Sequence, residues 1–170
     1  LLLHLLLSCS AEVEGPVNTD GFADGFADGI DLSSHRLFIS STTTNGLIGS
    51  TGLSGADAFC TSLAQSAGLK REYRALLSTV ALNLKDRFTS TAAVYGVGPS
   101  GAYRVTSNLN SNLATGGATL ENAISHTELL GSPTGIRAWT GSNSVGVHTS
   151  SCSSWASANV GLNATTGFFS

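Results

Sequence analysis

One stretch of this chain can form a helix of more than two turns. From Ser54 it reads SGADAFCTSLAQSAGLK, with apolar residues at Ala58, Phe59, Leu63 and Ala64. Gly68 follows where a helix takes its left-handed stop. Ser54 suits the N-cap, and Asp57 three positions on favours the positive end of the helix dipole. Phe59 and Leu63, with Cys60 alongside, are expected to face the core. Elsewhere Gly, Ser, Thr and Asn interrupt the apolar pattern every few residues, so the other elements must be brief. Arg36–Ser41, Tyr73–Thr79 and TAAVYGV (91–97) read as strands, and Leu82–Phe88 as a short helix. Ile136–Ser142 and Ser144–Trp155 read as a late β-hairpin, and 99–135 as mostly polar loop. Strand, helices, an irregular middle and late strands indicate an α+β domain rather than alternating βαβ units.

The charge pattern excludes one large class of partner. Charged residues are 11% of the chain, against about 25% in an ordinary soluble domain. A net charge of −3 gives no electrostatic footprint for nucleic acid. An uncharged chain rich in Gly, Ser, Thr and Asn suits an exported protein whose loops outweigh its regular elements.

The N-terminal LLLHLLLSCS addresses export directly. Its apolar run stops at Leu7, well short of the about 20 residues that cross a bilayer. Leucine at nearly every position gives no amphipathic period, so a core helix is the weaker reading. A secretory signal fits better. Leu6-Leu7-Ser8-Cys9 looks like a lipobox, in which cleavage before the cysteine leaves a lipid-modified N-terminus; simple secretion is the alternative. No Met and no basic segment precede the leucines, so the chain reads as starting inside its leader. Residues 10–34 then read as an acidic, Gly-rich tether containing GFADGFADGID. Asp20, Asp24 and Asp28 lack the ligand spacing of a calcium loop. The expected organisation is a signal remnant with lipidated Cys9 (1–9), a tether (10–34) and a folded domain (35–170).

LFISSTTTNG, GADAFCTSLAQSAGL, YRALLST, LKDRF, RAWTG and SSCSSW, in that order, resemble a bacterial surface-lipoprotein domain of the C-type-lectin-like, or endostatin-like, fold. The resemblance covers residues 36–170 and rests on order and spacing, with GADAFC and the pair AWTG and CSSW its most specific parts. It implies short helices packed on small antiparallel sheets with long irregular loops. It also implies an outer-membrane, surface-exposed or secreted protein, non-enzymatic, binding protein ligands such as host matrix or complement-regulatory proteins. Trp139 and Trp155 are expected to fill the core from adjacent strands. Domains of this kind close with a last strand carrying two cysteines. The chain ends before such a strand, so the resemblance implies that Cys60 and Cys152 both lack their partners and are not bonded to each other. Counting cysteines alone, with Cys9 lipidated, would pair Cys60 with Cys152.

Other chemistries find little support. The calcium-dependent sugar site of lectins of this fold needs a Glu-Pro-Asn loop and a Trp-Asn-Asp strand. Here Trp155-Ala156-Ser157 stands at the second and Glu-Pro-Asn is absent, so calcium-dependent sugar binding is not expected. No G-x-S-x-G elbow occurs. His126-Thr127-Glu128 has the H-x-E spacing of zinc deaminases without the P-C-x-x-C that completes their site. No cofactor is expected. The alternatives to a binding domain are a structural envelope-associated domain and, more remotely, a secreted hydrolase with a dispersed site. For a binding domain, the contact residues are expected in the polar loops of 99–135 and 142–149.

Overall fold

A computed structural model describes residues 6–11, 35–48, 51–69, 71–114, 120–133, 137–159 and 164–168. The chain is α+β, as its pattern predicts, but its sheet is mixed rather than antiparallel. Strands β1 (Leu6–Ala11), β2 (His35–Ile39), β3 (Arg74–Ala75), β4 (Val94–Gly98), β5 (Gly101–Thr106), β6 (Arg137–Trp139) and β7 (Thr166–Phe168) join in the order β5-β4-β2-β1-β6-β7, with β3 also on β1. The β1–β6 and β2–β4 pairs are parallel, and the others are antiparallel.

The N-terminus departs from expectation. Residues 6–11, read as the end of a signal remnant and the start of a tether, form here the strand that joins the two halves of the sheet. Ser8–Ala11 pairs with β2, Cys9 and Ser10 also meet β3, and Leu6 and Leu7 meet β6. Cys9 is disulfide-bonded to Cys60, with Cα atoms 5.6 Å apart. A sulfur committed to that bond has no valence left for a thioether, so this disulfide and the expected lipidation of Cys9 exclude one another. Cys60 consequently does have a partner. Cys152 is not in a disulfide, so Cys60 and Cys152 are indeed not joined to each other. The proposed tether over 12–34, with its Asp repeat, lies outside the described residues.

Helix α1 (Leu53–Ser66) lies over this sheet and ends as expected. Ala67 is the C-cap and Gly68 takes φ +80°. The Leu69 amide reaches the Ala64 carbonyl at 2.9 Å and the Gly68 amide the Gln65 carbonyl at 3.0 Å, a Schellman stop closed by buried Leu69. Its start differs, because Gly52 at φ +66° occupies the cap position and Ser54 lies inside the helix. Asp57 accepts the Ala75 amide at 2.9 Å and pairs with Arg87 instead of serving the helix end. The buried stripe is Ala56, Cys60 and Ala64, with Phe59 and Leu63 only partly buried beside it. Small residues on that stripe let the helix approach β1 closely enough for the disulfide.

Strand β2 is buried along its whole length because both faces of the sheet are covered. Phe38 joins the core under α1, with Cys9, Ile48, Tyr73, Trp139 and Trp155. Leu37 points the other way, to Leu76, Leu84, Phe88, Val94 and Val105. The expected helix over 82–88 appears as α2 (Leu84–Arg87), whereas only Arg74–Ala75 of the strand expected at 73–79 joins a ladder. The region 99–135 is mostly loop among its described residues, as expected, but it carries two short elements. Pro99 and Ser100 turn β4 into β5, and a second short helix, α3 (Leu109–Ala114), follows. Among the described residues no helix is long and apolar enough to cross a membrane.

Candidate functional site

Two loops stand on Trp155. The residue is fully buried and comes from α4 (Cys152–Trp155), which is not the strand the sequence suggests. All four residues of α4 have positive φ, from 44° to 67°, making one left-handed turn that the Trp155 amide closes on the Ser151 carbonyl at 2.7 Å. Left-handed backbone costs L-residues roughly 1–2 kcal/mol each, so packing must hold it. The indole does so. It stacks edge-on to Trp139 at 5.7 Å, and both tryptophans are core residues as expected.

Above the indole, Ser78 leads into a tight turn. The Thr79 amide meets the Leu82 carbonyl at 2.9 Å and the Leu82 amide returns to Thr79 at 3.2 Å. Val80 at its tip is 80% exposed and Leu82 is 37% exposed. Beside it, the expected late hairpin forms at its tip, over 140–149. Ser142 pairs with His148, and the Asn143 amide meets the Val147 carbonyl at 2.9 Å. Asn143 Oδ1 accepts the amides of Val145 and Val147, and Gly146 supplies the φ of +65° that the turn requires.

Cross-bonds lock the loops together. The Ser78 amide donates to the Thr140 carbonyl at 3.0 Å, the Lys85 amide to the Gly146 carbonyl at 3.2 Å, and the His148 amide to Asn83 Oδ1 at 3.0 Å. Gly141, at φ +66°, passes so close to the indole that a Cβ there would lie 2.8 Å from Trp155 Cζ2. The product is a rigid platform with an exposed apolar tip, the geometry that lets a few side chains dominate recognition. The expected 142–149 loop is therefore half of this platform. The 79–82 turn was missed, although Val-Ala-Leu between a strand and a helix, with no Gly or Pro, is a visible signal.

Other constellations are committed to structure. His148 Nε2 lies 2.9 Å from Ser151 Oγ, but Ser151 is 5% exposed and a nucleophile there could not reach a substrate. His126 sits with Ser125 and Tyr103 around the Tyr103 hydroxyl on another face, and buried Glu128 accepts the amide and hydroxyl of Ser41. The H-x-E pair thus splits between two roles. His35 is buried at the start of β2. Among the described residues no group of three His, Cys, Asp or Glu could hold a metal. A groove of about 350 Å³ between α1 and β3 is lined by residues including Asp57, Thr61, Glu72 and Arg74. Asp57 is already held by Arg87, and Thr61 Oγ1 by the amide and carbonyl of Tyr73. Cys152 packs under Gly46, where a Cβ would fall 2.7 Å from its sulfur, and burial pushes the Cys152 thiol pKa up.

No protein-family model matches this chain, and no curated protein matches it either.

Proposed function

We propose that this chain is an exported, non-enzymatic binding domain of C-type-lectin-like architecture that recognises a protein ligand through the 79–82 and 142–149 loops. The observation that carries the reading is Val80, 80% exposed at the tip of a turn that is cross-bonded to its neighbour. An apolar side chain held this far into solvent on a rigid base suits a contact made with another molecule. The Cys9–Cys60 disulfide supports an oxidising compartment and hence export. Surface display fits the same reading, with host matrix or serum proteins as the ligand class, but without a lipid on Cys9.

The test is capture of matrix and serum proteins on the full chain, compared with a Val80→Asp/Leu82→Ser double variant that melts at the same temperature. The expected result is a specific captured protein whose binding weakens at least about tenfold, since hot-spot losses run to about 2 kcal/mol or more. Equal capture by the variant, or no capture by the parent chain, sinks the reading.

A further inference from the structure

The segment 121–127 runs from the edge of β5 to the end of β2 and is fastened at both ends. The Glu121 amide donates to the Val105 carbonyl at 2.8 Å, and Asn122 Nδ2 to the Arg104 carbonyl at 2.8 Å. At the other end, the Ile39 amide donates to the His126 carbonyl at 3.0 Å, and Thr127 bridges to Ile39. Between these fastenings, Ser125 and His126 meet the side chain of Tyr103 on β5. Two glycines of β4 make room for the rings. Gly96 lies opposite Tyr103 in the ladder, and a Cβ there would fall 2.6 Å from the Tyr103 hydroxyl oxygen. Gly98 lies beside the imidazole, where a Cβ would sit 3.4 Å from His126 Nδ1. The two rings meet edge-on, with centroids 5.7 Å apart.

Three polar side-chain atoms converge as a result. Ser125 Oγ lies 3.0 Å from His126 Nδ1 and 3.2 Å from the Tyr103 hydroxyl, and that hydroxyl lies 3.4 Å from Nδ1. The Ser125 amide donates to the Tyr103 oxygen at 3.0 Å, which fixes the phenol and leaves its own proton to give. Ser125 stays exposed, unlike Ser151 beside His148. An exposed hydroxyl within hydrogen-bond reach of an imidazole that is itself held in place is the arrangement of an activated nucleophile.

We propose that Ser125 is an acyl-acceptor site: it takes the acyl group of an activated ester, with His126 Nδ1 as the base and the Tyr103 hydroxyl as the donor to the carbonyl oxygen. The tautomer this requires carries the ring proton on Nε2, leaving the Nδ1 lone pair for Ser125. Oγ bonds to the carbonyl carbon as its proton passes to Nδ1. The charge that develops on the carbonyl oxygen is met by the Tyr103 O–H. Collapse breaks the bond from carbon to the leaving oxygen, which departs with the electron pair and takes the proton from Nδ1. No other reactant is consumed. Among the described residues nothing bonds Nε2, so the imidazole lacks the carboxylate that completes a hydrolytic triad. The product is therefore an O-acylserine that persists, a modified chain rather than a turnover. The site shares no residue with the 79–82 and 142–149 platform, so it stands apart from ligand binding there.

The test treats the whole folded chain with p-nitrophenyl acetate at neutral pH, digests it and compares acetylation of its serine peptides. Ser107 and Ser144, exposed like Ser125 but bonded to no histidine among the described residues, are the reference. Ser125 should be acetylated at least about tenfold faster than either, since a positioned general base contributes about 10²–10⁴-fold. Equal acetylation of the three serines overturns the proposal without recourse to any variant. His126→Gln keeps a hydrogen-bonding side chain but cannot take the proton, and should bring Ser125 down to the reference rate at an unchanged melting temperature. Tyr103→Phe removes the hydroxyl alone and should slow Ser125 as well. Undiminished acetylation in a folded His126→Gln chain overturns the proposal. In urea the preference for Ser125 should vanish. A preference that survives there comes from sequence adjacency to His126 rather than from the folded cluster, and sinks the proposal too.

Discussion

The indole N–H of Trp155 meets the carbonyl oxygen of Ser78 at 2.7 Å, across 77 positions of sequence. Both partners are fully buried, so water cannot take the place of either. This bond ties the left-handed turn to the base of the exposed 79–82 loop. Trp155→Phe keeps an aromatic ring but removes the donor, stranding a buried carbonyl at a cost of about 1–3 kcal/mol, with a smaller loss from altered contact with Trp139. Urea denaturation should show a loss of about 2–4 kcal/mol. A loss under ~0.5 kcal/mol would mean that the indole is not the brace described here.

Ser10 distinguishes a core strand from a tether. Its side chain is buried and its Oγ has no hydrogen-bond partner. Ser10→Ala removes a hydroxyl that folding strips of water, so it should be neutral or stabilising by about 1 kcal/mol. Ser10→Lys places an ammonium in the same position and should cost at least ~3 kcal/mol or abolish folding. Thermal melts that are indistinguishable for all three chains would return residue 10 to a solvent-exposed segment.

How far the sequence reveals this arrangement depends on how local the cause is. The C-terminal stop of α1 was legible because Gly68 and Leu69 form the Schellman closure themselves. The burial of Trp139 and Trp155 was legible because so few other large side chains compete for the core. The role of Leu6–Ala11 was hidden because an apolar run of that length reads equally as a signal segment. Only pairing with residues 36–39, 74–75 and 138–139 makes it a strand. The α4 turn was hidden for a different reason. Cys-Ser-Ser-Trp carries no glycine, and its left-handed backbone is imposed by the packing of Trp155 rather than by any local preference. The same non-local origin explains why the platform was half seen. Asn143 and Gly146 announce their own turn, whereas the cross-bonds from Ser78, Asn83 and Lys85 depend on the fold.

That imposed turn yields a stability prediction. Ser153 and Ser154 each hold φ 57°, and Ser153 is exposed, so its side chain contributes little packing. Glycine removes the Cβ penalty of roughly 1–2 kcal/mol but adds about 0.5–1 kcal/mol of unfolded-state entropy. Ser153→Gly should therefore raise stability by about 0.5–1 kcal/mol, visible as an upward shift of the thermal midpoint. Ser153→Val should lower it, because a β-branched side chain tolerates this region least. Reversal of that order would show that residue 153 is not left-handed in solution.

Burial raises the Cys152 thiol pKa, which sets the sign of a pH effect. A raised acid pKa means that the folded chain holds its proton more tightly than the unfolded one. The stability contribution is therefore complete below the unfolded thiol pKa of about 8.5 and fades as pH rises through the higher folded value. Iodoacetamide should alkylate Cys152 in the native chain much more slowly than in urea at pH 8, and Cys152→Ala should flatten any alkaline loss of stability. Native alkylation at the unfolded rate would place the thiol at the surface.

Finally, the Cys9–Cys60 bridge closes a loop with a sequence separation of 51 between its cysteines. Chain-entropy reasoning assigns such a loop about 4 kcal/mol, a large share of the 5–15 kcal/mol that holds a typical domain. Its loss acts on more than the unfolded ensemble, because Cys9 belongs to the strand that joins β2 to β6. Reduction should therefore release β1 along with the bond, and melting should shift down by about 8–16 °C at the roughly 2–4 °C per kcal/mol expected for this size. Cys9→Ala and Cys60→Ala should each melt where the reduced parent does, and the double variant should melt no lower, since either single change already removes the bridge. Amide exchange supplies the structural check. In the reduced chain, the Arg36 and Phe38 amides should lose protection, because they alternate with the His35 and Ile39 amides, which bond away from β1 to the Ala93 and His126 carbonyls. If the Arg36 and Phe38 amides stay protected while the bridge is open, β1 is not what pairs that edge of β2.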